Sequence, residues 1–456
     1  MRSVTALAFF VLGGLASSAA SEKAPRYGID DLVRLAQAQN IEIAIARKKI
    51  QAARGGQLEA RAGYLPSVVS NGLYRRRERA DSSRLRPDDY NASVRVVENL
   101  YTGGATKARD AIARLTLAKQ EDDLQAVTDR VTMDVRLAFY ELLLNREKIS
   151  VRRESVEVLR EELKSQRQRL SAGTVGPLDA SRAEVALANE EPELVQAQTD
   201  LQNSYLRLAE LCGLDTPGSQ NFEAAGTLQY QPRHPNLEAA LARAAVDRPE
   251  VRSAQKDVAI EEKQLELDRS ETKPHVEFFT GYEAYSERDP NIGPEFNHGY
   301  VVGLNASWAI FDGFATRGRV QATRARREGA ALALKAVKLG VQSEVRSAFL
   351  DLQQADSVLQ AQSKNVRTAN ETLTYARSNF AAGLGTQLDV LQAAADVTRT
   401  RTTRLSAIYL HNAALARLGR ASGGAPAPAD AAPNEPKASD QVYQFVSPPT
   451  SLNQKK

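Results

Sequence analysis

The sequence predicts a mainly α protein with a small transmembrane β part, built from a long helical hairpin that occurs twice. Three observations carry this expectation: a duplication that spans most of the chain, a seven-residue apolar period inside each copy, and a two-residue alternation just upstream of each long helix.

The duplication comes first, because a missed repeat misassigns a whole fold. Leu100 to Gly213 aligns with Ile310 to Gly423 at a constant spacing of 210 positions. The matched pairs include Gly103/Gly313, Ala105/Ala315, Val135/Val345, Arg136/Arg346, Leu142/Leu352 and Leu208/Leu418. Upstream the spacing becomes 208, pairing Glu42 with Glu250 and Pro66 with Pro274.

Each copy holds a very long helical stretch. Ala105 to Ala172 contains neither Gly nor Pro, and as helix it spans on the order of 100 Å. Val135, Leu142, Ile149, Val156, Leu163 and Leu170 recur every seven residues, and Val345, Leu352, Leu359, Val366, Leu373 and Phe380 repeat that register. An apolar period of seven keeps helices wound left-handedly around their neighbours. Each stretch then meets a matching break, SAGTVGPLDASRAE at 171–184 and AAGLGTQLDVLQAA at 381–394, beyond which the helical pattern resumes. A Gly-bearing break between two such helices makes a tight antiparallel turn. Pro192, inside the first return helix, predicts a bend because it removes one backbone donor.

Strands are expected before each long helix. Tyr300, Val302, Leu304, Ala306 and Trp308 alternate with smaller or more polar residues, as do Tyr90, Ala92, Val94 and Val96. Phe278 and Tyr282 belong to a third such run, and a fourth starts at Pro66. The expected strands are 66–79, 89–101, 274–285 and 298–311. Such a period separates two unlike environments, and ten-residue strands with aromatic ends suit a membrane barrel as well as a soluble sheet. Four strands cannot close a barrel, so several chains would have to share one.

Composition excludes several classes. Lys+Arg exceeds Asp+Glu by four in 456 residues, and the charges are interspersed along helices, so no nucleic-acid partner is expected. Cys212 is the only cysteine, which forbids an intrachain disulfide and a Cys-based metal cluster. The four histidines lie apart, and Gly383-x-Gly385 lacks both a preceding strand and a phosphate-loop lysine, so no enzyme and no cofactor are expected. Residues 1–20 have the form of a secretory signal, and 424–456 are Pro/Ala-rich in the manner of a disordered tail.

These features together resemble the TolC-like outer-membrane efflux protein family. The resemblance rests on the twofold repeat, on LYTGGATKA (100–108) and IFDGFATRG (310–318), and on GLGTQLDVLQAA (383–394) with GTVGPLDASRA (173–183). It implies a first repeat at 21–213, an equatorial linker at 214–235 and a second repeat at 236–423. It further implies a homotrimer in the outer membrane of a Gram-negative bacterium, with a twelve-stranded barrel and an α-helical periplasmic tunnel. Partners would be outer-membrane lipid, a periplasmic adaptor and an inner-membrane exporter of the RND or ABC type.

The resemblance also assigns sites. Asp389 corresponds to a carboxylate ring at the tunnel constriction, with Gln392 in place of the next acidic residue. Asp179 corresponds to an acid that accepts bonds from the second tip, where Phe380 and Gly385 stand in place of an aromatic hydroxyl and a cation. Gly173, Thr174, Val175, Gly176, Gly383, Leu384 and Thr386 correspond to the adaptor-docking tip. Tyr90, Val94, Phe278, Tyr282, Tyr300, Val302, Leu304 and Trp308 are the residues expected to face lipid. The function implied is a passive exit duct for drugs or secreted polypeptides; a periplasmic coiled-coil adaptor without a pore is the competing reading of the hairpins alone.

Overall fold

The computed structural model describes residues 25–76, 88–214, 222–286 and 296–424. The signal segment, most of both charged loops between strands, and residues 425–456 lie outside the described residues.

The first half runs β1 (Arg26–Tyr27), α1 (Ile29–Gln39), α2 (Ile41–Ala62), β2 (Ser67–Arg76), β3 (Asp88–Tyr101), α3 (Ala105–Ser171) and α4 (Pro177–Cys212). The second repeats the order with β4 (Glu223–Ala224), α5 (Leu237–Asp247), α6 (Pro249–Ser270), β5 (His275–Ser286), β6 (Phe296–Ser307), α7 (Ala315–Ala381) and α8 (Gln387–Ala421). Helices α3 and α7 are each 67 residues long. Helix α4 continues through Pro192.

Asn40 separates α1 from α2 and caps the latter: its Oδ1 accepts from the backbone N–H groups of Glu42 and Ile43 at 2.9 and 3.2 Å. Between the halves, β4 pairs in parallel with β1. The extended residues after it are fastened to α8, where Asn412 Nδ2 donates to the Gln229 carbonyl at 3.0 Å.

The seven-residue register becomes the core. Val135 and its partner Val345 are both fully buried, as are Leu142 and, within 2 % exposure, Leu352. The first pair of helices builds one apolar cluster with α1, and the second builds another with α5. Towards the tips the two series diverge: Val156 and Leu163 are buried, whereas Val366, Leu373 and Phe380 are only half-buried. Polar residues fix the pairing of the first hairpin. Asn145 Nδ2 donates to Ser204 Oγ at 2.8 Å, and Arg152 reaches Glu190 and Glu193 on α4, each at 3.0 Å.

The second cluster ends at an ion network. Arg248, 3 % exposed, contacts Glu250 and Glu344 at 2.9 Å each, and Arg420 contacts the same two carboxylates at 3.1 and 2.7 Å. Shared partners of this kind offset the desolvation that an isolated buried pair would suffer.

The four longer strands form one antiparallel sheet in the order β2-β3-β5-β6. The halves meet where β3 pairs with β5. Gly103 shapes the entry to α3: its φ is +65°, and a Cβ there would sit 2.6 Å from the Ser270 carbonyl oxygen. Glycine alone meets both conditions. The last strand stops earlier than the alternation suggested. It ends at Ser307 because that residue already faces His275, the first residue of β5, and beyond it Trp308 Nε1 donates to the Thr272 carbonyl at 3.0 Å. Asp312 then takes over as a helix-entry residue, its Oδ2 accepting from Thr316 N–H at 2.7 Å.

Candidate functional site

Two regions gather the residues singled out in the sequence: the sheet, and the paired hairpin tips at the far end of the long helices.

On the sheet, strand register decides which side chains share a face. Val94, Tyr282 and Tyr300 are cross-strand partners in one row, and Phe278 and Leu304 in another. Tyr90 pairs with Tyr74 on the same face, ring centroids 5.1 Å apart. Val302, opposite Thr280, completes this apolar side. Tyr300 is 90 % exposed, and Tyr90, Val94, Val302 and Leu304 are exposed as well. Trp308 is exposed but lies one residue beyond β6, so it belongs to the connector rather than to the strand.

The opposite face is polar. Arg95 pairs with Glu283, its guanidinium carbon also 5.4 Å from the Phe279 ring centroid, and Asn305 Nδ2 donates to Glu277 Oε1 at 2.8 Å. The sheet thus has one apolar, exposed face and one ion-paired face.

The tips are built alike. Gly173 and Gly383 follow the two long helices with φ of +72° and +73°, the left-handed cap that ends a helix and frees the chain to reverse. Thr174 Oγ1 donates to the Arg169 carbonyl at 3.0 Å. Val175 is half-buried, Gly176 caps α4, and Leu384 is fully displayed at 82 % exposure.

Asp389 is exposed and engaged in a reciprocal cap at the start of α8. Its Oδ2 accepts from Thr386 Oγ1 at 2.7 Å and from Thr386 N–H at 2.8 Å. The Thr386 hydroxyl, then its backbone N–H, hold the carboxyl below the usual carboxylate value. Gln392 lies one turn further on and is exposed. Asp179 faces Arg182 of its own helix at 4.0 Å rather than the second tip. Gly385 packs closely: a Cβ there would lie 3.2 Å from Asn379 Cβ. Phe380 has a partner that no sequence pattern announces, the Arg169 guanidinium carbon at 4.9 Å from its ring centroid.

Three further residues near the tips, two on α3 and one inside the 383–394 motif, have no role assigned by the resemblance. Gln166 and Gln387 are buried and, with Glu162, form hydrogen bonds between α3 and α8. A signal existed. Gln166 lies three residues after Leu163, at the second core position of the seven-residue pattern, where a polar residue fixes pairing.

The model of the outer membrane efflux protein family matches residues 32–214 and 240–424, both halves of the repeat. The chain belongs to the outer membrane efflux protein family. It is 26 % identical over 382 residues to Protein CyaE of Bordetella pertussis, covering 82 % of this chain and 79 % of that one. Outer membrane protein TolC of Escherichia coli is 24 % identical over 433 residues, covering 88 % and 83 %. The crystal structure of the outer membrane protein VceC from Vibrio cholerae shares the fold, with a TM-score of 0.76 at 17 % identity, covering 87 % and 96 %. As an outer membrane efflux protein, the chain is a Gram-negative outer-membrane channel component with long periplasmic helices, and not an enzyme.

Proposed function

We propose that three copies of this chain close into one passive duct, a twelve-stranded barrel continued by a helical tunnel. Drugs or secreted polypeptides would leave through it. The observation that carries this reading is the open sheet. Among the described residues, β2 and β6 are each paired on one side only. In lipid an unpaired backbone edge costs several kcal/mol per group, so β6 of one copy must meet β2 of the next. Four strands per chain fall short of the usual minimum of about eight; two copies would supply eight and three twelve, and the family resemblance, not the strands, chooses three. The half-buried Val366, Leu373 and Phe380 support the same conclusion for the helices, since a neighbouring copy would cover them.

In this assembly the apolar face of Tyr90, Val94, Phe278, Tyr282, Tyr300, Val302 and Leu304 meets outer-membrane lipid, with Trp308 at the boundary. Residues 173–176 with Gly383, Leu384 and Thr386 are the docking tip for a periplasmic adaptor. An inner-membrane pump of the RND or ABC type supplies the energy, since the duct has no chemistry of its own. Asp389 is the constriction residue of this gate.

The test is reconstitution of purified full-length protein in planar bilayers. Discrete single-channel conductance is expected. Absence of conductance, together with a monomeric mass in detergent, overturns the duct.

A further inference from the structure

A duct of this kind must keep its tip closed at rest, yet the side chains expected to hold it are Phe380 and Gly385. We infer, on the basis of the duct reading, that a buried polar triad is the latch that positions the closed gate within each chain. Its members are Glu162, Gln166 and Gln387.

The three side chains close a ring of hydrogen bonds. Gln166 Nε2 donates to Glu162 Oε1 at 2.8 Å and to Gln387 Oε1 at 2.9 Å. Gln387 Nε2 donates to the same Glu162 oxygen at 2.8 Å. Gln166 is fully buried, and Gln387 is 2 % exposed. Glu162, half-buried, brings the one formal charge, and it meets α8 at its first residue. A carboxylate at a helix N-terminus is favoured by the helix dipole, and hydrogen bonds to it are charge-assisted.

Position makes the ring a latch rather than an ordinary core contact. It joins α3 of the first hairpin to α8 of the second. The other polar ties between these helices lie further from the tip: Ser155–Thr398 at 3.0 Å and Glu154–Arg401 at 2.8 Å. From Gln387 to Arg401 is about 20 Å of helix. Those upper ties can therefore serve as the pivot while the triad acts at the end of the lever. Parting the hairpins there strands buried donors and acceptors unless water follows.

The ring is also releasable. Gln166 Oε1 is buried without a hydrogen-bond partner. Water that enters the seam on opening satisfies that oxygen, so part of the cost of breaking the ring is returned in the open state.

The experiment compares resting conductance of full-length channels in planar bilayers, with assembly checked by mass in detergent. Glu162→Ala and Gln387→Ala each remove ring bonds and are expected to raise resting conductance about five-fold or more. Glu162→Gln keeps an acceptor at the same place but loses the charge, and is expected to fall between wild type and E162A. Gln387→Leu keeps volume without polarity; a correctly assembled Q387L channel is expected to open as Q387A does. Wild-type conductance in assembled E162A and Q387L channels overturns the latch and leaves the duct intact. Equal opening of E162Q and E162A overturns the hydrogen-bond ring as its basis. No conductance from wild type or any variant removes the duct itself, and the latch with it.

Discussion

The guanidinium carbon of Arg169 on α3 lies 4.9 Å from the ring centroid of Phe380 on α7, a contact that crosses from one hairpin to the other at the tip. The aromatic hydroxyl expected there from the family pattern is missing. The ring keeps a tie by offering its face to a cation instead. Such a contact stabilises by about 0.5–1 kcal/mol at an exposed site. Arg169→Gln is accordingly expected to raise resting conductance about two- to five-fold, a smaller effect than breaking the triad. Bilayer recordings of R169Q alone and with E162A check this; no increase in either background removes Arg169 from the closed tip.

The duct reading gives Asp389 a second task beside its cap on α8, and both need the ionised carboxyl. Its carboxyl titrates below the ordinary 3.8 because it accepts from the Thr386 hydroxyl and backbone N–H. A depressed acid contributes its stabilisation above the unfolded value and loses it as pH falls through the folded one. Block of the channel by a multivalent cation is therefore expected to persist from about pH 7 to pH 5 and to fade at more acid pH as the carboxyl protonates. Asp389→Ala should abolish it throughout. A block that D389A leaves unchanged confines Asp389 to capping.

Cys212 is fully buried and surrounded by apolar groups, and burial pushes its thiol up to about 11. The thiolate is the reactive form, so native protein at neutral pH is expected to resist maleimide, with full modification after denaturation. Mass spectrometry reads the difference. Rapid labelling of the native protein would contradict the packing of α4 against α1.

The repeat predicts paired energetics. Leu142 and Leu352 occupy equivalent core positions, 0 % and 2 % exposed. Truncating either to alanine is expected to cost about 2–5 kcal/mol. Thermal unfolding followed by circular dichroism should show both variants lowered by similar amounts. A large loss for one and none for the other would mean that the two halves do not share one packing scheme.

Much of this was legible in the sequence for a physical reason: the repeat states each rule twice. The register of Val135 and Val345 located the core, and Gly173 and Gly383 located both reversals. The alternation around Tyr90 and Tyr300 located the sheet. The end of β6 was less legible, because Trp308 continues the alternation although its indole bonds back to Thr272 and leaves the ladder. The tip contacts were the least legible. Arg169 and Phe380, or Glu162, Gln166 and Gln387, come together only when two hairpins 210 residues apart are laid side by side, and no local pattern pairs them. Only the polar residue at the Gln166 core position hinted at them.

The three-copy barrel is tested most directly at the sheet edges. With Cys212 inert, one cysteine is placed at Ser67 on β2 and another at Ser307 on β6, and membranes are treated with a short thiol-specific cross-linker. A closed barrel of three chains requires a ladder of one, two and three linked chains that stops there. A ladder that stops at two, one that runs on past three, or no linkage between copies would contradict it.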